Sequence, residues 1–179
     1  LPHGFNRNII IYPRLMIFHN LLTRNSRKPE KFKMIYDRRI ELKHAGKKKE
    51  QAPLKIVING TYGISKARNS LAYDPRNANL ICLNGQLMLI DLIEHLEAID
   101  GFELIQSNTD GLIISLPDTD EAFNQMDDIC YEWEKRCNME LEFDEISSIW
   151  EKDVNNYVFI FSNGKVERKG AYVKELSPL

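Results

Sequence analysis

The sequence predicts an α+β chain: an antiparallel sheet of hairpins backed by helices, with a helical hairpin inserted ahead of most of the sheet. Three observations carry this. Two pairs of short apolar runs flank the tight-turn dipeptides Asp110-Gly111 and Asn163-Gly164, the strongest short hairpin signals. Two helical segments are punctuated by Pro29, Gly46 and Pro53, with Lys47-Lys48-Lys49 at the bend. Two further helices, one long and apolar and one acidic, alternate with the strand signals; helices and hairpins lie in separate blocks, as in α+β folds.

In chain order, Ile9-Ile10-Ile11 reads as a buried strand ending at Tyr12-Pro13. Pro13 can open a helix, which Leu15 to Leu22 would continue as a buried segment. The first arm of the helical hairpin runs from about Glu30 to Ala45 and stops at Gly46. The second runs from about Ala52 to Ser65, with Pro53 in its first turn. Residues 66–78 read as loop, and a helix from about Asn79 to Ile99 presents Leu83, Leu87, Ile90 and Leu92-Ile93 to a core. The hairpin 102–116 follows. An acidic amphipathic helix from Asp118 to Cys137 is capped by Asp118 or Thr119. Met139 to Phe143 alternates as a strand, and 156–174 closes the chain as a further hairpin.

The chain has 179 residues, enough for one domain with a real core. It opens at Leu1 rather than Met, which fits an excerpt of a longer protein. The apolar runs are too short to span a bilayer and no leader is visible, so the expected setting is cytoplasmic. Three cysteines without C-x-x-C spacing read as reduced structural thiols. Net charge is −2, but residues 1–76 hold 17 Lys/Arg against 5 Asp/Glu (+12), and the remainder 7 against 21 (−14). A basic half beside an acidic half suits a polyanion on one side and carboxylate-held cations on the other.

Two constellations could carry chemistry. The Asp110-Gly111 turn holds a carboxylate at a hairpin tip, where it can bind a hard cation such as Mg²⁺ that keeps waters for substrate phosphates. Lys55, Asn59 and Tyr62 fall at i, i+4 and i+7 and share one helix face among Leu54, Ile56, Val57, Ile58 and Ile64. The expectation is a polar stripe cut into a buried helix, which costs free energy unless each group has a partner. A triphosphate would supply one, with Arg39 and Lys43, four residues apart, arriving from the neighbouring helix. Gly60 and Gly63 in the same helix suggest close approach by another backbone or a nucleic acid.

The residues resemble the catalytic half of a family B DNA polymerase of the phage or prophage kind. Lys55-Ile56-Val57-Ile58-Asn59-Gly60-Thr61-Tyr62-Gly63 is similar to the fingers motif K-x-x-x-N-S/G-x-Y-G. Asn108-Thr109-Asp110-Gly111 is similar to the palm motif D-T-D-S, and Tyr12-Pro13 to the end of the other palm motif, D-x-x-S-L-Y-P. The resemblance implies a palm with fingers inserted: an N-terminal palm segment 1–26, fingers 27–66, and palm 67–179 containing the hairpins 102–116 and 156–174. It implies that Asp110 is the catalytic metal ligand, with two Mg²⁺ ions expected and Mn²⁺ as an alternative. It implies that Lys55, Asn59, Arg39 and Lys43 bind the incoming triphosphate and that Tyr62 lies beside the nascent base pair. Tyr12 would stack under the sugar and exclude a 2′-hydroxyl. Lys165, Arg168, Lys169 and Gly170 would hold the primer. Primer–template DNA and dNTP are the implied partners, no membrane is expected, and exonuclease and thumb segments would belong to the full-length protein.

The chain departs from the family at identifiable places. Arg7 stands where the first palm Asp is expected, five residues before Tyr12, with Ile10 in place of the Ser; a cation there would repel the metals. Asn108 replaces the leading Asp of D-T-D, and Asn155 the Lys of K-x-Y before Tyr157. Template-directed DNA synthesis is therefore the expected activity of the parent enzyme. The alternative is a catalytically inactive remnant that still binds nucleic acid or nucleotide. Another palm-type nucleotidyl transferase or cyclase ranks below both, since it would lack the K-x-x-x-N-x-x-Y-G helix.

Overall fold

The computed structural model describes residues 6–13, 29–108, 111–171 and 173. They form an α+β structure of six antiparallel strands and four helices. The strands are β1 (Asn6–Pro13), β2 (Glu103–Asn108), β3 (Gly111–Pro117), β4 (Leu141–Asp153), β5 (Asn156–Phe161) and β6 (Val166–Lys169). The helices are α1 (Pro29–His44), α2 (Lys48–Lys66), α3 (Pro75–Leu96) and α4 (Asp120–Cys137). The chain divides into two compact units, residues 1–14 with 88–179, and residues 15–87. The helix expected after Pro13, over Leu15 to Leu22, lies outside the described residues, as does Asp110.

In the first unit the strand order is β2-β3-β1-β4-β5-β6, so β1, the earliest strand, sits between β3 and β4. Alternation sorts its residues: Ile9 and Ile11 are buried on one face, while Ile10 and Tyr12 point to the other. In antiparallel pairing, opposed residues share a face. Ile9 and Ile11 thus join Leu112 and Ile114, paired as Ile9↔Ile114 and Ile11↔Leu112. Helix α4 backs this face with the buried stripe Ala122, Met126, Cys130, Trp133 and Cys137. Trp133 is fully enclosed and its Nε1 donates to the Met88 carbonyl at 2.9 Å. The opposite face has its own apolar cluster, Ile113, Ile146, Phe159 and Phe161, with Ile10, Ile149 and Tyr157 against it.

Caps and turns explain most boundaries. Thr119, one of the two expected caps, accepts from the Ala122 N–H, and Asn138 ends α4 in the left-handed region at φ 52°. Gly46, at φ 70°, closes α1 with paired bonds from Lys47 N to Leu42 O and Gly46 N to Lys43 O. Helix α2 begins at Lys48, earlier than the Ala52 expected from Pro53. Pro53 therefore lies inside the helix, past the N–H groups that lack an intrahelical partner, and the Lys49 carbonyl forgoes its i+4 donor. Helix α3 begins at Pro75 rather than Asn79: Asp74 caps it, accepting from Asn77 N at 3.0 Å.

The core face of α3 differs from expectation. Ala78, Ile81, Leu89, Leu92 and Leu96 are buried, whereas Leu83, Leu87 and Ile90 are about half exposed. The helix carries two apolar stripes roughly half a turn apart, and the folded unit covers only one. Strand β4 runs to Asp153, ten residues past the predicted Phe143, because an irregularity between Ile146 and Ser148 interrupts the alternation that sequence reading follows.

Candidate functional site

The predicted site residues divide between the two units. On the sheet, Tyr12 stands at the end of β1, opposite Glu142 on β4, while Ile10 opposes Asp144. Glu142 and Asp144 are two positions apart on the strand, with Phe143 between them, so both carboxylates lie on the Tyr12 face, about 7 Å apart along β4. The Tyr12 phenol donates to Asp144 Oδ2 at 2.9 Å. Burial, and then the Asp144 and Glu142 carboxylates, hold the phenol well above its ordinary range. On the other side of β1 is Gly111, where a Cβ would come within 3.2 Å of the Ile11 carbonyl and 3.3 Å of the Tyr12 Cβ. Asn108, paired with Gly111, brings its side-chain oxygen to the same place. Asn108, Gly111, Tyr12, Glu142 and Asp144 therefore meet at one end of one sheet face. Gln106, one step behind Asn108, is 5% exposed, and neither end of its amide has a partner among the described residues.

Arg7 is placed elsewhere. A five-residue spacing puts it on the opposite face of β1 from Tyr12, about 16 Å along the strand. It pairs in register with Leu116, forms ion pairs with Asp118 and Glu145, and lies over the Phe123 ring at 5.8 Å. Arg7 is thus an ion-paired residue of the helix-backed face.

As for a cation, the available donors are hard oxygens: two carboxylates and the Asn108 amide, the set that Mg²⁺ or Mn²⁺ accepts. Among the described residues no group of three or more His, Cys, Asp or Glu converges.

Farther across the same face, Tyr157 pairs with Lys169, whose ammonium lies 5.5 Å from the phenol ring. Tyr157 stacks on Phe159 and donates to Glu167 Oε1 at 3.0 Å. Arg168 pairs with Val158, and alternation turns it to the other face, so Arg168 and Lys169 do not act side by side. Lys165 sits in the β5–β6 turn with its ammonium over the Phe161 ring. Gly170, at φ 105°, is fixed by space: an added Cβ would overlap the Asn156 side chain and come within 2.5 Å of the Asn155 carbonyl. Asn155, in the place of the family's Lys, shapes the β4–β5 turn, its N–H donating to Asp153 Oδ1 at 2.9 Å.

In the helical unit α1 packs on α2 as a hairpin. The buried side of α2 is Ile58 and Ser65, with Leu54, Thr61 and Tyr62 half-buried beside them. Lys55 and Asn59 flank that side and are exposed, with no hydrogen bond or ion pair to a described residue. The expected buried polar stripe is therefore corrected: Ile56, Val57 and Ile64 are exposed, Ile56 by 73%, and desolvation does not compel Lys55 and Asn59 to find protein partners. Tyr62 is the member that desolvation does constrain. Its hydroxyl lies 2.6 Å from Cys82 Sγ, with the Lys66 ammonium 4.6 Å from its ring, and burial followed by the Cys82 contact raises its phenol. On α1, Arg39 is half-buried with its Nε unpartnered among the described residues, and Lys43, one turn on, is exposed.

Asp144 and Glu142 are legible in the sequence as the carboxylates to look for near Asp110, on the strand after the hairpin, but not as partners of Tyr12. Their signal was present in the alternation Glu140, Glu142, Asp144 around Leu141 and Phe143, but only the β1–β4 register brings them to Tyr12.

No protein-family model matches the chain. It is similar to proteins named DNA polymerase 1: 27% identical over 128 residues to that of Saccharolobus solfataricus. It is 25% identical over 127 residues to that of Sulfolobus acidocaldarius, and 23% over 127 residues to that of Sulfurisphaera ohwakuensis. Each match covers 70% of this chain, and the chain spans about 14% of the length of these relatives. Among the described residues no helix is long and apolar enough to cross a membrane.

Proposed function

We propose that this chain is the palm and fingers segment of a DNA-directed DNA polymerase of the family B kind, of phage or prophage type. The observation that carries the reading is the meeting of Tyr12, Asp144 and Glu142 with the Asn108–Gly111 hairpin at one end of the sheet, in a chain similar to DNA polymerases. The parent enzyme adds dNTP to a primer 3′ end. Asp110, with Glu142, would hold two Mg²⁺ ions (or Mn²⁺), which lower the pKa of an attacking hydroxyl and offset charge on a leaving pyrophosphate.

The chain's own residues do the binding and orienting. Exposed Lys55 and Asn59, with Arg39 and Lys43 on the facing arm, offer donors to triphosphate oxygens, and charge-assisted bonds of this kind are the stronger class. Tyr62 packs beside the base pair being formed. The Tyr12 ring forms a floor beneath the sugar. Lys169 and Tyr157, together on one face, contact the primer backbone, with Lys165 at the turn and Gly170 letting the chain pass closely; phosphate contacts of this sort position DNA without reading its sequence.

A second reading, an inactive remnant that still binds nucleic acid or nucleotide, is favoured by one observation: Arg7 stands where the resemblance places the first palm Asp. Primer extension with a labelled primer–template, dNTP and Mg²⁺ separates the two. Extension abolished by Asp110→Ala is the expected outcome. Salt-sensitive primer–template binding without extension would select the remnant, and neither extension nor binding would overturn both.

A further inference from the structure

Resting on the reading above, we infer that Asp144 is a positioning residue for Tyr12, locking the phenol ring through its hydroxyl so that the site selects deoxyribonucleotides over ribonucleotides. The geometry is one-sided. Tyr12 ends its strand, and across β1 on the β3 side stands Gly111, which has no side chain to buttress the ring. On the β4 side stand Glu142, directly opposite, and Asp144, diagonal to it. The phenol donates to Asp144 Oδ2 at 2.9 Å, and Glu142 stands beside it as a further acceptor.

A tyrosine held only at its Cβ can swing about χ1 and tilt about its broad χ2. A hydrogen bond at the para position removes both freedoms at once. Discrimination against one extra hydroxyl needs a wall that does not yield, because a compliant surface rejects an added hydroxyl weakly. Asp144 supplies the stiffness, and Tyr12 supplies the surface.

The role differs in kind from metal ligation, and substitutions can tell them apart. Asp144→Asn retains an acceptor oxygen for the phenol but removes the charge. Asp144→Ala removes both, and Tyr12→Phe removes the donor while keeping the ring. The full chain with primer–template is titrated with dATP and ATP at equilibrium in Ca²⁺, which supports binding without requiring turnover. Asp144→Ala and Tyr12→Phe are each expected to reduce the dATP/ATP preference by about tenfold or more, as befits a hydrogen bond to a charged group. The double variant should lose no more than either single one. Asp144→Asn is expected to stay close to wild type in preference.

Wild-type binding of dATP with a preference that Asp144→Ala leaves unchanged would overturn this inference and spare the polymerase reading. Equal loss in Asp144→Asn and Asp144→Ala would overturn it in favour of a charge or metal role. Failure of the wild type to bind either nucleotide or primer–template would remove the inference together with the reading it rests on.

Discussion

The sheet unit encloses a core of large side chains while leaving Trp150, Tyr131 and Phe143 exposed, and the helical unit buries fewer of its own. Trp133, Ile9, Ile11, Leu112, Ile114, Leu116 and Met126 are all under 2% exposed. In the helical unit Met34 and Ile56 are more than 70% exposed, and Leu71, Leu80, Leu83 and Leu87 are exposed as well. The same contrast holds for polar groups: Tyr12 and Tyr157 are tied to carboxylates on neighbouring strands, while Lys55 and Asn59 reach outward without partners among the described residues. Among the described residues the sheet unit holds the larger enclosed core, and the helical unit leaves apolar and cationic surface exposed.

Core deletions test that contrast most severely. Trp133→Ala removes the largest enclosed side chain and its bond to Met88, and should lower stability by about 3–5 kcal/mol, seen as a fall in the urea midpoint of the whole sheet unit. Ile58→Ala, the matching change in α2, should cost about 2–4 kcal/mol locally and register as lost amide-exchange protection in α1 and α2, while Ile56→Ala should stay within about 0.5 kcal/mol. Equal losses for Ile56 and Ile58 would break the picture of a helical unit with one covered side.

Smaller effects sharpen it. Gly170→Ala forces a Cβ against the Asn155 carbonyl from a left-handed backbone and should cost about 1–3 kcal/mol, loosening β6 in hydrogen exchange before β1 or β3. Thr119→Ala removes the α4 cap and should cost about 1 kcal/mol in thermal unfolding. The mildest test is by pH. Burial, then the Asp127 and Glu134 charges, pushes the Cys130 thiol from 9.0 up to about 12. The folded state therefore keeps its proton longer than the unfolded one, so this contribution is intact below about 9 and is lost as pH rises towards 12. Denaturation midpoints at pH 8 and pH 10.5 should converge in Cys130→Ala relative to wild type. At pH 8 Cys82, half-buried, should react with a thiol reagent well before buried Cys130 and Cys137.

How legible the molecule was depended on the range of the interactions. The hairpin around 109–110, the Asn163-Gly164 turn, the Gly46 stop and the Thr119 cap were readable because each is decided by a few adjacent residues. The start of α3 is equally local, since the Asp74-Pro75 pair announces it, although the turn-forming residues of 66–78 mask that signal as loop. Burial was another matter. The α2 stripe was expected inside because apolar neighbours surround it, but Ile56, Val57 and Ile64 need a second surface to bury them, and none of the described residues provides one. Leu83, Leu87 and Ile90 lost to Ile81, Leu89 and Leu92 for the same reason: a helix with two apolar stripes cannot say which will be covered.

By itself the sequence determined the alternation of elements, the turn chemistry and the motifs that resemble a polymerase, since all of these follow from residues within a turn or two of one another. The tertiary structure decided what each functional group meets. Arg7 and Tyr12 are neighbours in sequence, but strand parity sends one to the helix-backed face, against Asp118 and Glu145, and the other to Asp144, 132 residues away. That partnership depends on β1 inserting between β3 and β4, a choice made by sheet register and burial across the whole unit.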